Sequence, residues 1–380
     1  MKYGMRWAGV LLLLALAVPA GAQNEVVKTR LTNKEYHAVY TPSFSIDGAH
    51  KPVRNVILMI GDGMGLAHAS AGMYMNQGAL TLTNLKTIGL VRTQSASHFT
   101  TDSAASGTAY ATGKKTRNGA IGVDKEGKVL ENITEKLSEK GFATGVLTTD
   151  NMDGATPASF YAHQPERGMS DEIWSDLPDC KLTFFGGGSR ELMEKKGVEK
   201  RLEKAGFTLV ESVADRNAAT AARLGVLPPA AKTASVNENR GDFLPVTTAF
   251  ALDYLSKRSD KGFFLMVEGA RIDKSAHNND FKGVVGEVLD FDQAVEAAIR
   301  FAEKDGHTLV IISADHETGA LSLGNGHIAD GKLTGNFSTK GHTSIMVPLY
   351  AYGPWSDLFT GVQENSDVSN KIYELLTKGK

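Results

Sequence analysis

Five short stretches of the 380-residue chain are almost unbroken in apolar residues, many of them β-branched: 56–60, 143–148, 263–267, 308–313 and 345–352. None alternates apolar with polar positions, so each reads as a strand covered on both faces, the setting of a parallel sheet. Between them the period lengthens to three and four. Val284, Val288, Phe291, Val295, Ala298, Ile299 and Ala302 fall on one stripe of a helix. Residues 130–140 and 244–257 follow the same pattern, and Gly141 and Gly262 stand where such helices stop. Strands and helices alternating along the whole chain predict a doubly wound α/β/α architecture. The more polar segment 168–242 reads as insertions or peripheral helices.

Composition narrows the class. With 42% apolar and 22% charged residues the chain is ordinary for a globular protein, and large-scale disorder is excluded. A formal charge of −2 excludes a strongly basic nucleic-acid binder and an acidic tail protein. One cysteine, Cys180, excludes an internal disulfide and an all-cysteine metal site. Glycine is in excess, 40 residues in 380, which predicts many tight turns or close backbone approaches to a ligand. The first 22 residues carry Lys2 and Arg6, an apolar run over 7–18 and the small residues Ala20-Gly21-Ala22. That is a signal peptide cut near Ala22, because the run falls short of the roughly 20 residues a spanning helix needs. The expected protein is exported, periplasmic or secreted, with residues 23–380 as one domain and no membrane or nucleic-acid partner.

Polar residues of one chemical kind gather at the strand ends, where open α/β sheets bind ligands. The run 56–60 leads into Gly61-Asp62-Gly63-Met64-Gly65. The run 263–267 leads into Glu268, Asp273, Lys274 and His277, and the run 308–313 into Asp315-His316. The run 143–148 leads to Gly154-Ala155-Thr156-Pro157, with Arg167 further on, while His342 precedes its strand. Alone, an Asp after a strand is an ordinary helix cap. Together these segments deliver several Asp, Glu and His to one rim and point to a polynuclear metal site. Asp and His suit zinc; carboxylates with a hydroxyl suit magnesium. Asp273 and His277, four apart, share a face if that segment is helical. Thr100-Thr101-Asp102-Ser103-Ala104-Ala105-Ser106-Gly107 supplies a serine near the start of a tightly packed helix, where an anion is favoured. A serine hydroxyl needs a base or a metal to attack, and no G-x-S-x-G elbow surrounds it, which leaves metal activation.

This set resembles the alkaline phosphatases of bacteria and animals. The carrying segments are IGDGMG, TDSAASGTA, GATP, Arg167, VEGARIDKSAH, SADHETG and GHT, in the family's order over residues 56–353. The resemblance implies a three-layer α/β/α sandwich with a mostly parallel central sheet. It implies a phosphate monoesterase acting on small molecules, with Ser103 as the nucleophile that becomes a phosphoserine. One zinc would lie on Asp273, His277 and His342, a second on Asp62, Asp315 and His316, and a magnesium on Asp62, Thr156 and Glu268. Arg167 would grip the phosphoryl oxygens and Lys274 would contact phosphate through water; a homodimer is common in the family. Gly154 departs from relatives that carry Asp or His near the magnesium. The 25 residues between His316 and His342 leave room for at most a reduced insertion around 317–341. A phosphodiesterase of the same superfamily is the alternative within hydrolases. A sulfatase lacks support, since Ser103 is followed by Ala-Ala-Ser. From a different class, a non-catalytic exported phosphate- or metal-binding protein would need no serine beside the ligands.

Overall fold

The computed structural model describes residues 26–230 and 234–378; the expected signal peptide lies outside the described residues. In chain order the strands are β1 (Val27–Thr32), β2 (Asn55–Gly61), β3 (Thr87–Arg92), β4 (Ala143–Thr148), β5 (Phe184–Gly186), β6 (Phe207–Val210), β7 (Arg223–Val226) and β8 (Phe263–Gly269). They continue as β9 (Thr308–Ser313), β10 (Glu317–Thr318), β11 (Leu321–Leu323), β12 (Lys332–Phe337), β13 (His342–Thr343), β14 (Val347–Tyr352) and β15 (Gly361–Glu364). The helices are α1 (Leu66–Met75), α2 (Ser103–Thr112), α3 (Ile133–Glu139), α4 (Ala155–Ala158), α5 (Ser170–Asp176) and α6 (Arg190–Lys196). After them come α7 (Glu199–Lys204), α8 (Phe243–Ser256), α9 (Arg271–His277), α10 (Phe281–Asp305) and α11 (Asn365–Lys378).

Ten strands form one sheet in the order β15-β3-β14-β9-β2-β8-β4-β5-β7-β6. Among the described residues β14 runs against both its neighbours, and every other pairing in this sheet is parallel. Every residue of β2, β4, β8 and β9 is buried, as continuous apolar runs require. One helix group, α8 with α10, packs on these strands; a second, α2, α3 and α11, packs together and on β2 and β4. The result is the three-layer sandwich with a mostly parallel sheet.

Register makes the carboxyl ends flush. Ile60 of β2 lies beside Glu268 of β8 and Ser313 of β9, and Glu268 lies beside Thr148 of β4. The residues that follow these strands therefore emerge at one rim. Because β14 is reversed, the chain preceding it starts from that same rim, which is why His342 can reach the site from the amino side of its strand.

The structure corrects three sequence expectations. Residues 168–242 are not merely peripheral: β5, β6 and β7 extend the central sheet beyond β4. The helix expected over 130–140 is only α3, because Asn132 caps it, accepting from the Glu135 N–H at 3.0 Å while Glu135 reaches back. The last apolar run pairs only from Val347; Ile345 and Met346 are exposed.

The longest helix, α10, starts on an Asp280 cap and ends at Gly306 with φ +77°. Its inner face carries Glu287 and Asp290, which bind the fully buried Arg240 guanidinium at 2.5 and 2.7 Å. Burial pushes Asp290 up to about 6 despite the neighbouring Arg240. Its ionisation therefore lowers stability as pH climbs through that value, and removing Arg240 enlarges the penalty. Arg240→Met should lose about 3–5 kcal/mol of unfolding free energy at pH 8 and less at pH 5. Urea unfolding at both pH values checks this; equal stability of the two proteins at pH 8 would refute the assignment.

Candidate active site

Ser103 opens α2, a helix of small residues that is buried throughout. Its size limit is visible at Gly107, where a Cβ would sit 2.9 Å from Ser159 Oγ. Asp102 caps the helix: one carboxylate oxygen accepts from the Ala105 N–H at 3.0 Å. The other accepts from the Gly119 N–H at 3.1 Å and from Arg167 Nη1 at 3.1 Å. The cap thus ties the arginine to the helix start beside Ser103. Ser106, one turn on, donates to the Asp315 carbonyl at 2.8 Å and joins α2 to the segment after β9. Ser103 Oγ lies 3.1 Å from His316 Nε2.

Two groups of potential ligands share His316. Asp62, Asp315 and His316 form one, and Asp273, His316 and His342 the other. His316 Nε2 is 3.4 Å from Asp62 and 3.3 Å from Asp315, and its ring stacks on that of His342 with centroids 3.5 Å apart. His277, half-exposed on α9, stands 3.2 Å from Asp273 and 3.1 Å from His342 Nε2. The grouping Asp273, His277 and His342 is therefore also together in space, with His316 within reach of both sets.

The far side of each ring is held. His342 Nδ1 meets the Thr101 carbonyl at 2.9 Å, and His277 Nδ1 meets the Lys340 carbonyl. A carbonyl only accepts, so each Nδ1 carries a proton, which orients each ring with its Nε2 on the cluster side. Thr318 completes the support: its hydroxyl donates to Asp273 at 2.5 Å and lies 3.2 Å from His316 Nδ1. Gly63 permits this closeness. It has φ +71°, and a Cβ there would be 2.8 Å from Thr318 Oγ1 and 3.0 Å from Asp273 Cα.

A third set adjoins them. Glu268, next to the last residue of β8, is 1% exposed and accepts from Thr148 Oγ1. Thr156 Oγ1, on α4, is buried without a hydrogen-bond partner, as are one oxygen each of Asp62 and Asp315. Lys274 reaches from α9 to the carboxylate of Asp150. Burial first, then the charges of Asp315, Asp273 and Glu268, push Asp62 well above the ordinary carboxylate range. Burial and the neighbouring Asp150 push Glu268 up to about 8. Burial opposes ionisation of Asp273 too, but the His277 bond, the charges of His316 and His277 and the Thr318 hydroxyl together hold it below its usual range. Buried carboxylates with oxygens that lack hydrogen bonds, set beside imidazole nitrogens, fit cations: the N/O sets suit zinc, and the all-oxygen donors Asp62, Thr156 and Glu268 suit magnesium.

Every site residue expected from the sequence lies at this rim. Asp102, Thr318, Thr148 and Asp150 belong to it as well and escaped sequence reasoning. Asp102 was legible as a helix cap, but its second role depends on Arg167, distant in the chain. The other three show no local pattern.

The family model for alkaline phosphatase matches residues 53–332. Alkaline phosphatase 4 of Bacillus subtilis is 33% identical, over 86% of this chain and 90% of that protein. Streptomycin-6-phosphate phosphatase of Streptomyces griseus is 32% identical, over 84% of this chain and 90% of that protein. The structure of alkaline phosphatase from the Antarctic bacterium TAB5 superposes with a TM-score of 0.81 at 36% identity, covering 87% of this chain and 99% of that one. A variant of that enzyme, with Mg bound in its M3 site, superposes with a TM-score of 0.80. The chain belongs to the alkaline phosphatase family and is a phosphomonoesterase.

Proposed function

We propose that the chain hydrolyses small-molecule phosphate monoesters in two displacements at Ser103, after export and cleavage near Ala22, as a metal-dependent homodimer. The observation that carries the site assignment is the position of Ser103: buried at the start of α2, 3.1 Å from a histidine shared by both ligand groups, with Arg167 fastened to its cap. In the first displacement Ser103 Oγ bonds to phosphorus, the ester oxygen departs, and an alcohol is released. In the second, water attacks the phosphoserine from the opposite side, its phosphorus–Oγ bond breaks, and inorganic phosphate leaves. Two inversions give retained configuration at phosphorus.

Arg167 offers the planar fork that matches two non-bridging oxygens, and Asp102 keeps that fork from swinging away. The N–H groups at the start of α2 favour the anion there. Asp273, His277 and His342 would hold one zinc, Asp62, Asp315 and His316 a second, and Asp62, Thr156 and Glu268 a magnesium. When bound, these ions supply Lewis-acid stabilisation of the attacking, leaving and equatorial oxygens. Lys274 adds a cation at the edge for phosphate contact through water. Among the described residues no helix is long and apolar enough to cross a membrane.

Ser103→Ala should lower the rate of monoester hydrolysis by at least about a thousandfold. Acid quenching with labelled phosphate should trap the label on Ser103 in the native protein only; full activity of the variant would remove Ser103 from its role. A chelator should abolish steady-state phosphate release and zinc should restore it. Turnover persisting in protein shown to be metal-free would end the metal assignment. A nitrophenyl monoester should turn over faster than the bis-nitrophenyl diester, and the reverse order would favour a phosphodiesterase.

A further inference from the structure

Gly154 stands directly before α4 and contributes no side chain to the rim. A Cβ built there would lie 2.9 Å from an oxygen of Asp150 and 3.0 Å from the Asn151 carbonyl. The chain turns back over 151–154, with the Gly154 N–H on the Asn151 carbonyl at 2.9 Å. Through that turn the Asp150 carboxylate occupies the space a side chain at 154 would take. The neighbouring acid, Asp153, does not compete for this place: it accepts from Ser170 Oγ at 2.5 Å, on α5.

Asp150 is anchored on both sides of its peptide. Its N–H donates to Thr148 Oγ1 at 2.8 Å, and its carbonyl accepts from the Gly188 N–H at 2.6 Å. The same Thr148 hydroxyl donates to Glu268. The Asp150 carboxylate binds the Lys274 ammonium, one residue along α9 from Asp273. One backbone-fixed acid thus pairs with Lys274 and sits within electrostatic reach of Glu268.

We propose that Asp150 is a positioning residue for phosphoryl transfer: it fixes the Lys274 ammonium and adds a negative charge beside Glu268 and Thr156, from a place that excludes any side chain at position 154. This rests on the magnesium and phosphate roles in the proposed function. In the absence of substrate the carboxylate partly neutralises Lys274; with substrate bound it limits where the ammonium can go. A carboxylate beside, but outside, the direct ligands also favours a hard divalent cation on Glu268 and Thr156.

The test uses the native chain, Asp150→Ala, Asp150→Asn, Gly154→Asp, and the double substitution Asp150→Ala with Gly154→Asp. Magnesium alone is titrated calorimetrically into each zinc-loaded protein, and inhibition by inorganic phosphate is measured alongside. Asp150→Ala should weaken magnesium by about 10- to 100-fold. The same variant should tighten phosphate inhibition by about two- to fivefold, because Lys274 loses its partner. Asp150→Asn, which keeps the shape and should unfold at the native temperature, should also weaken magnesium. Gly154→Asp should not tighten magnesium in the native chain, where its side chain meets Asp150. In the Asp150→Ala chain it should recover most of the lost affinity. Native magnesium affinity in Asp150→Ala or Asp150→Asn overturns the proposal. So does a Gly154→Asp gain that is the same with and without Asp150, or unchanged phosphate inhibition in Asp150→Ala. Failure of the phosphatase reading would show instead as absent monoester hydrolysis by the metal-loaded native chain, and the magnesium titrations do not depend on turnover.

Discussion

Four buried carboxylates, Asp62, Glu268, Asp273 and Asp315, face one another at the end of a sheet, and the surrounding structure exists to keep them there. Like charges at such separations repel strongly in a low-dielectric setting, and unpaired oxygens of Asp62 and Asp315 add the penalty of lost hydration. An isolated loop would relieve this by spreading its acids into water. These acids cannot spread, because Asp62 and Asp315 follow buried strands locked in register, Glu268 lies within one, and Asp273 sits on the helix α9 that follows it. The sheet thus supplies the rigidity that concentrates charge, and the charge creates demand for cations. The donor atoms decide which ones.

The same constraint explains the supporting contacts. Backbone carbonyls of Thr101 and Lys340 accept from the outer nitrogens of His342 and His277, so both rings are aimed before any ion arrives. Thr318 and Gly63 are complementary: the hydroxyl must approach Asp273 closely, and only a residue without a Cβ lets the chain pass beside it. The reversed β14 has a similar consequence at larger scale, since a parallel strand there would have placed its amino side, and His342, at the opposite end of the sheet.

Much of this was legible in the chain. Long apolar runs such as 56–60 and 308–313 announce doubly covered strands, and the acids that follow them announce a rim site. Legibility ended where structure is short or tertiary. The strands β5, β6 and β7 have three or four residues each, too few for a period, so the segment holding them read as peripheral. His316 belongs to both ligand groups, which no spacing reveals, because Asp273 comes to it only through the folding of α9 against β10. Asp102 has a local signature for one of its bonds and none for the other.

Asp150 illustrates why a motif comparison alone misplaces such a residue. A cation site needs negative charge at certain points in space, and the sequence position that delivers it is secondary when the backbone turns back on itself within a few residues. At 154 the motif holds glycine and looks deficient. The turn over 151–154 brings a carboxylate from four residues upstream into that same volume, and the tight fit leaves room for one side chain only. The glycine and the acid are therefore one feature: Gly154 is what allows Asp150 in, and Asp150 is what makes Gly154 tolerable beside Lys274 and Glu268.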